Sequence, residues 1–155
     1  MIGYADTSFI APLYVPDVHS PAAAAVMARA NGPVLITALC DVEMSNAIEL
    51  RYHRKEITRQ QAKAAAQAFD EDVRSGVFSL QPMPAAMFDK AKGMARQYTH
   101  VLGTRSLDLL HVAAALSLGA DTFFSFDRNQ RKLARGAGLA LRPKELPSRT
   151  LRSAR

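Results

Sequence analysis

The sequence has little of several residue types, and each shortage excludes a class of protein. A single cysteine among 155 residues rules out an internal disulfide framework. One cysteine and four scattered histidines, with no CxxC or HxxxH pair, argue against a zinc site. No run of about 18 uncharged apolar residues is present, so we expect no membrane span. The first residues lack a basic segment and soon reach Asp6 and Pro12, so we expect no secretory signal and a cytoplasmic protein.

The length and composition are those of one globular domain. Hydrophobic residues make up 48% of the chain and charged residues 22%, which argues against bulk disorder. The net charge of +6 is unevenly distributed, because residues 128–155 carry nine Lys or Arg and one acid. Such a basic end suits a phosphate backbone, but a solvated, solubilising tail explains it as well. We divide the chain into a domain over residues 1–142 and a basic tail over 143–155 that is partly disordered.

Short apolar runs alternate with segments of helical spacing. The apolar runs predict strands at Ile2–Ala5, Val34–Thr37, Val77–Leu80, Thr122–Phe126 and Leu139–Leu141. Helices are predicted over residues 20–31, 38–54, 58–75, 84–98, 105–118 and 127–135, with a short helix or loop over 7–14. Ser20 and Thr37 are predicted N-caps, and Thr58 with Gln61 predicts a capping box. The strands lack polar alternation, so we predict a three-layer α/β/α sandwich with a mostly parallel sheet of four or five strands.

Four acidic residues lie at strand ends or helix starts. Asp6 directly follows the first strand and Asp127 the fourth, so both are predicted at the carboxyl edge of the sheet, where ligands bind in such folds. Glu43 is near the start of the helix that leaves this edge. Asp108 lies in the first turn of its helix, and it joins the others only if that helix begins at the same edge.

A cluster of carboxylates needs a compensating charge. At ~4 Å, one like-charge pair costs roughly 4 kcal/mol at an effective dielectric constant near 20, so cations or a shared proton must accompany it. Mg²⁺ prefers oxygen ligands, and four carboxylates would balance two Mg²⁺ or Mn²⁺ ions. Two such ions can activate a water and stabilise the leaving oxygen of a phosphodiester. The acids therefore predict metal-dependent phosphodiester hydrolysis.

Each acid except Glu43 also has a local explanation. Asp127 could cap its helix, and Asp6 could cap the segment that follows it. Asp108 in a first helical turn complements the helix dipole. Two competing acids share the helix of Glu43, namely Asp41 and Glu49.

Four short motifs in this order are similar to those of one known family. They are Tyr4-Ala5-Asp6-Thr7-Ser8, Glu43 with Asn46, Ser106-Leu107-Asp108-Leu109-Leu110-His111-Val112-Ala113, and Phe124-Ser125-Phe126-Asp127. With these motifs the chain resembles the PIN-domain ribonucleases, and among them the VapC-type toxins of bacterial toxin–antitoxin pairs. The resemblance covers nearly all of residues 2–142. Each motif alone is weak, and their order and spacing are more specific.

The resemblance implies a catalytic metal site. Asp6 and Asp108 would be the principal Mg²⁺ ligands, and Glu43 would bind a second cation or orient the attacking water. Asp127 matches the most variable acid of the set. The implied reaction is Mg²⁺- or Mn²⁺-dependent hydrolysis of single-stranded or looped RNA to a 5′-phosphate. The implied partners are a second copy of the chain and a small antitoxin protein that blocks the acidic pocket, often with an Arg or Lys.

Several other residues flank these acids. Ser8 matches a small hydroxyl position near the metal, and Asn46 matches a polar neighbour of the glutamate. Arg105 and Arg128 could contact substrate phosphate, or they could be solvated arginines at helix ends. His111 is predicted to be a core or hydrogen-bonded histidine. The basic tail extends past the usual end of compact family members, and it could guide RNA, contact the antitoxin or have no role.

Three other functions compete with the nuclease. A catalytically silent module of the same fold would bind RNA without cleaving it. A phosphoacceptor receiver domain needs paired acids after the first strand, whereas Thr7 and Ser8 follow Asp6. A flap-type DNA nuclease needs additional helical elements, for which the chain lacks room.

Overall fold

Five short strands form a single parallel sheet in the computed structural model, which describes residues 1–147. The strands are Gly3–Ala5 (β1), Val34–Thr37 (β2), Phe78–Gln81 (β3), Thr122–Phe124 (β4) and Ala140–Arg142 (β5). Their order is β3-β2-β1-β4-β5, and every neighbouring pair is parallel. In the central strand, Tyr4 pairs with Leu35 on one side and with Phe123 on the other.

Eight helices connect and cover the strands within residues 1–147. They are Thr7–Tyr14 (α1), Ser20–Met27 (α2), Ala38–His53 (α3), Arg59–Ser75 (α4), Ala85–Met94 (α5), His100–Leu102 (α6), Ser106–Ser117 (α7) and Arg128–Gly136 (α8). A π-helical turn over Ala95–Thr99 joins α5 to α6, so this helical segment runs four residues beyond the predicted end. The predicted strands and helices are all present, with ends that shift by a few residues.

Two apolar cores lie on opposite faces of the sheet, as expected for a three-layer sandwich. Side chains of successive strand residues alternate between them, because Ala5 and Phe124 belong to the first core and Tyr4 and Phe123 to the second. Helices α1 to α4 cover the first core, and α5, α7 and α8 cover the second. Burial of these side chains contributes about 25 cal/mol per Å² of apolar surface, which is the main favourable free energy of folding. The predicted α/β/α architecture is confirmed.

Two of the three predicted capping side chains do not cap their helices, although α3 does begin directly after Thr37. The capping box of Thr58 and Gln61 is present at the start of α4. The Ser20 side chain does not cap α2, because its hydroxyl donates to the carbonyl of Pro12 at 2.6 Å. The Thr37 side chain does not cap α3, and its hydroxyl lies 3.2 Å from that of Tyr4. Tertiary partners take both hydroxyls, and a local pattern cannot show such partners.

The chain changes face between β1 and β4, and this change creates a crevice. After β1 the chain enters α1 on the first face, whereas after β4 it enters α8 on the second. Helices that leave neighbouring parallel strands on opposite sides open a crevice at the carboxyl ends of those strands. Asp6 directly follows β1, and Asp127 begins α8. The topology thus places two of the predicted acids at this crevice.

A buried arginine fixes the chain after β5. The Arg131 guanidinium, only 6% exposed, donates to the carbonyls of Ser125 at 2.9 Å, Pro143 at 3.0 Å and Lys144 at 3.1 Å. The first residues of the predicted tail are therefore bound to the domain. The rest of that tail, residues 148–155, lies outside the described residues. Within residues 1–147, no helix has the length and apolar character needed to cross a membrane.

The close approach of Gly3 to Phe124 generates a stability prediction. A Cβ atom on Gly3 would lie 2.6 Å from Cζ of the Phe124 ring, which is fully buried and has little room to move. We expect Gly3→Ala to lower the free energy of unfolding by about 1–3 kcal/mol. Urea denaturation measures this change.

Gly93 provides the matched control, since nothing lies within 4 Å of a Cβ built there in α5. Gly93→Ala should raise the stability by about 0.5–1 kcal/mol. Equal stability of Gly3→Ala and the parent protein would contradict the packing described for β1.

Candidate functional site

Asp6 is the most deeply buried acid of the predicted site. Its side chain has no exposed surface, and it caps α1 by accepting from the backbone N–H of Phe9 at 3.0 Å. The Ser8 hydroxyl donates to Oδ1 at 2.7 Å, and the Ser125 hydroxyl donates to Oδ2. Burial raises the pKa of Asp6 to about 6, although nearby His111 and these hydrogen bonds act in the opposite direction. This carboxylate therefore binds a proton more readily than an exposed aspartate does, and a nearby cation would stabilise its ionised form.

Two serines connect Asp6 to Asp127. The Ser8 hydroxyl accepts from the backbone N–H of Phe126 at 2.9 Å and of Asp127 at 3.1 Å. The Ser125 hydroxyl accepts from the N–H of Asp127 at 3.0 Å. Asp127 caps α8, because its Oδ1 accepts from the N–H groups of the second and third helical residues at 2.8 and 2.9 Å. Its local role as a helix cap is thus present, and Oδ2 remains for other partners.

A single guanidinium connects Asp127 to Asp108. Arg105 Nε lies 3.2 Å from Oδ2 of Asp108, and its Nη2 lies 3.4 Å from Oδ1. The same Nη2 donates to Oδ2 of Asp127 at 3.3 Å. Asp108 is almost fully buried, whereas the Arg105 side chain is 67% exposed. The start of α7 therefore does face the crevice, and its acid shares a cation with the acid of α8.

Glu43 reaches the same region from α3. Its Oε1 accepts from the Thr7 hydroxyl at 3.2 Å, in the residue after Asp6, and it also contacts Nε2 of His111. His111 is fully buried, and its Nδ1 lies 2.9 Å from the Tyr4 hydroxyl. The histidine is hydrogen-bonded in the core, as its position predicted. It also contacts a predicted site residue, which the sequence did not indicate.

Each of three acids keeps a carboxylate oxygen with spare capacity. Among residues 1–147, Oε2 of Glu43 has no hydrogen-bond partner, Oδ2 of Asp6 has one, and Oδ2 of Asp127 has only Arg105. Oxygen donors of this kind are what Mg²⁺ and Mn²⁺ prefer, so the donor set fits such an ion.

The carboxylates do not converge on one point in this structure. Over the described part of the chain, no three His, Cys, Asp or Glu side chains are close enough together to hold a metal ion. Like charges repel, and Arg105 occupies the space between Asp108 and Asp127. A metal ion would have to displace this exposed guanidinium and draw the acids together.

Two of the predicted supporting residues make no side-chain hydrogen bond to the acids. Asn46 and Arg128 are exposed, and neither side chain has a hydrogen-bond partner among residues 1–147. The residues that sequence reasoning missed are Thr7, Ser125 and Arg131. Thr7 and Ser125 lie inside the quoted motifs, beside Asp6 and Asp127, so position alone could have indicated them. Nothing local indicated Arg131, which binds backbone carbonyls.

The fold and site together define a parallel α/β domain with an acidic crevice where the chain changes face. The sequence profile of the PIN domain family matches residues 4–136. The chain belongs to the PIN domain family, and the family predicted from the motifs is confirmed. No curated protein matches the chain.

Several solved structures share the fold. VapC20 of Mycobacterium tuberculosis, a sarcin–ricin loop cleaving toxin, is 18% identical over 94% of this chain and 99% of its own, with a TM-score of 0.67. FitAcB from Neisseria gonorrhoeae is 15% identical, covering 90% and 96%, with a TM-score of 0.63. VapBC2 from Rickettsia felis, bound to a DNA fragment from their promoter, is 16% identical, covering 91% and 97%, with a TM-score of 0.60. At such identities the similarity shows the fold.

The raised pKa of Asp6 generates a prediction about stability and pH. With a pKa of 3.8 unfolded and about 6 folded, this acid ionises first in the unfolded chain as pH rises. Ionisation of Asp6 therefore lowers the free energy of unfolding of the parent protein, by up to about 3 kcal/mol above pH 7. Below pH 4 the group is protonated in both states, and this loss of stability is absent. Asp6→Asn lacks this titration. We expect its stability relative to the parent to rise between pH 4 and 6 and to level off above pH 7.

Urea denaturation in EDTA at several pH values measures this difference. EDTA removes divalent cations, which would otherwise stabilise the ionised carboxylate. A difference between Asp6→Asn and the parent that stays constant from pH 4 to 7 would show that burial does not perturb this group.

Proposed function

We propose that this chain is a Mg²⁺- or Mn²⁺-dependent endoribonuclease and the toxin of a toxin–antitoxin pair. The observation that carries the proposal is the arrangement of four acids from separate parts of the chain around the crevice between β1 and β4, linked to one another through shared hydrogen-bond partners. Asp6 and Asp127 share two serines, Asp127 and Asp108 share a guanidinium, and Glu43 contacts the residue after Asp6. Membership of the PIN domain family and the similarity to VapC20 support the same activity.

The acids would hold the divalent cation. Asp6 and Asp108 would be its principal ligands, with Glu43 and Asp127 completing the set for one or two ions. When bound, such a cation neutralises the acids and the phosphodiester and makes the attacking water more acidic. Asp6 contributes a carboxylate whose position three donors fix in advance, so little reorganisation is needed at that ligand.

The two arginines at the mouth of the crevice would bind the RNA backbone. Arg105 would release the acids once they held a cation, and its exposed guanidinium could then contact a substrate phosphate. Arg128 is exposed beside Asp127 and can contact a neighbouring phosphate. We place Ser8 in a supporting role, because it orients both Asp6 and the backbone of Asp127. Asn46 would support Glu43 from the next turn of α3.

The partners follow from the same proposal. An antitoxin protein would block the acidic crevice, and the similarity to VapC20, a sarcin–ricin loop cleaving toxin, supports the role of this chain as the toxin of such a pair. A homodimer is supported by three large apolar side chains that stay exposed on the neighbouring helices α5, α6 and α7, namely Phe88, Val101 and Leu107. We expect both complexes in the cytoplasm, where RNA is accessible.

Cleavage of RNA tests the proposal. The purified chain with Mn²⁺ should cut an RNA hairpin that carries single-stranded loops, and EDTA should abolish the cleavage. Asp108→Asn should lower the rate at least about 100-fold, because it removes a principal ligand. Asp89→Asn is the matched control, since Asp89 is an exposed acid on α5, and its rate should equal that of the parent.

Two results would contradict the nuclease. Salt-dependent RNA binding without cleavage, in Mg²⁺ and in Mn²⁺, would identify a catalytically silent RNA-binding module instead. Equal rates for Asp108→Asn and the parent would show that these acids do not form the catalytic site.

Arg105 generates a separate prediction about metal affinity. Since its guanidinium occupies Asp108 and Asp127, it competes with a divalent cation. We expect Arg105→Ala to bind Mn²⁺ about 3–10-fold more tightly, which matches an exposed ion pair of about 1 kcal/mol. Isothermal titration calorimetry measures the dissociation constants.

Arg128→Ala is the control, because it removes one positive charge beside Asp127 without removing a contact to Asp108. Its affinity should change less than that of Arg105→Ala. Equal Mn²⁺ affinities for the two variants would show that the effect of Arg105→Ala comes from the lost positive charge and not from the lost contacts to Asp108 and Asp127.

A further inference from the structure

A buried chain of hydrogen bonds ends at Glu43. His111 lies on α7 with no exposed surface, and its Nε2 contacts Oε1 of Glu43. On the other side of the ring, Nδ1 lies 2.9 Å from the Tyr4 hydroxyl, which in turn lies 3.2 Å from the Thr37 hydroxyl. The chain of contacts therefore links α3, α7, β1 and the end of β2. It runs through the protein interior toward the crevice.

Hydrogen bonds can satisfy every group in this chain of contacts. A carboxylate oxygen accepts, so the Nε2–H of His111 donates to Glu43. Nδ1 forms the next hydrogen bond with the Tyr4 hydroxyl, and the hydroxyls of Tyr4 and Thr37 form the last one.

The side chains of Glu43 and His111 differ in how firmly the surrounding residues fix them. Glu43 lies near the exposed start of α3, where the preceding Val42 is 68% exposed, and its long side chain has several rotamers. His111 packs edge-on against Tyr4, with ring centroids 5.9 Å apart, and Tyr4 stacks on Phe123 at 5.7 Å. All three rings are fully buried. A buried column of aromatic rings thus holds one oxygen of a partly exposed carboxylate, and the other oxygen has no partner among residues 1–147.

We propose that His111, supported by Tyr4, is a positioning residue that fixes Glu43 for cation binding. This inference rests on the proposed nuclease function and assigns a role to a residue outside the four acids. His111 does not touch the substrate or the cation, and it acts through Glu43. Partners of this kind around a metal ligand contribute about 10–100-fold to metal affinity.

Substitutions of His111 in the full chain test the role. His111→Leu removes the donor to Glu43 and should weaken Mn²⁺ binding about 10–100-fold in a calorimetric titration. His111→Gln keeps an amide N–H that can reach Glu43 and should restore most of that affinity. Val112→Ala is the matched control, since Val112 is the next buried residue of α7 and belongs to the second core. It should lose stability without losing Mn²⁺ affinity.

A double-mutant cycle separates positioning from a general effect on the fold. In the Glu43→Gln background, His111→Leu should change the Mn²⁺ affinity no further, because its only path is through Glu43. If His111→Leu does not fold, Tyr4→Phe provides the second test. It keeps the ring, removes the hydrogen bond to Nδ1 and should weaken Mn²⁺ binding by a smaller factor.

The outcomes distinguish this inference from the proposed function. The role of His111 is overturned if folded His111→Leu and Tyr4→Phe bind Mn²⁺ as tightly as the parent. It is also overturned if His111→Leu weakens Mn²⁺ binding by the same factor in the Glu43→Gln background. Neither result contradicts the proposed nuclease activity. A parent chain that binds no Mn²⁺ and cleaves no RNA overturns both.

Discussion

The buried carboxylate of Asp6 is the interaction on which the rest of the site depends. It caps α1 through the N–H of Phe9, and it accepts hydroxyls from Ser8 in α1 and from Ser125 after β4. One side chain therefore joins the two halves of the fold at the point where the chain changes face. An uncompensated carboxylate in this position is costly, and the pKa of about 6 expresses that cost. The remaining acids lie around this fixed point.

Charge balance explains how the acids are arranged. Arg105 lies between Asp108 and Asp127, two serine hydroxyls solvate Asp6, and His111 contacts Glu43. Each carboxylate thus has a donor that the fold supplies. In the described residues these donors keep the acids apart instead of gathered around one point. Under the proposed function, a divalent cation would replace the exposed Arg105 guanidinium, while the buried contacts of Asp6 would stay in place.

Much of the fold was predictable because its signals are local. Apolar strands without polar alternation predicted a parallel sheet, and the order of strands and helices predicted three layers. Asp6 and Asp127 could be placed at one edge because each follows a parallel strand. The location of Asp108 could not be derived from spacing, since it depends on the direction of α7. The structure shows that Asp108 is close to Asp127, because both contact the guanidinium of Arg105.

The parts that sequence reasoning missed are contacts between distant segments. The hydroxyls of Ser20 and Thr37 bind tertiary partners instead of capping their helices. Arg131 holds the chain after β5 by donating to backbone carbonyls. Every residue has such a carbonyl, so the sequence does not indicate which ones accept. The contact of His111 with Glu43 joins residues 68 positions apart. The last of these contacts positions Glu43, so the sequence indicated candidate residues of the site but not the interactions that orient them.

The most direct measurement is a crystal structure of the chain grown with Mn²⁺, with anomalous scattering recorded to locate the ion. The account predicts an anomalous peak at coordination distance from carboxylate oxygens of both Asp6 and Asp108, with the Arg105 guanidinium displaced from Asp108. Fully occupied Mn²⁺ elsewhere on the protein, with Arg105 still bound to Asp108 and Asp127, would contradict it.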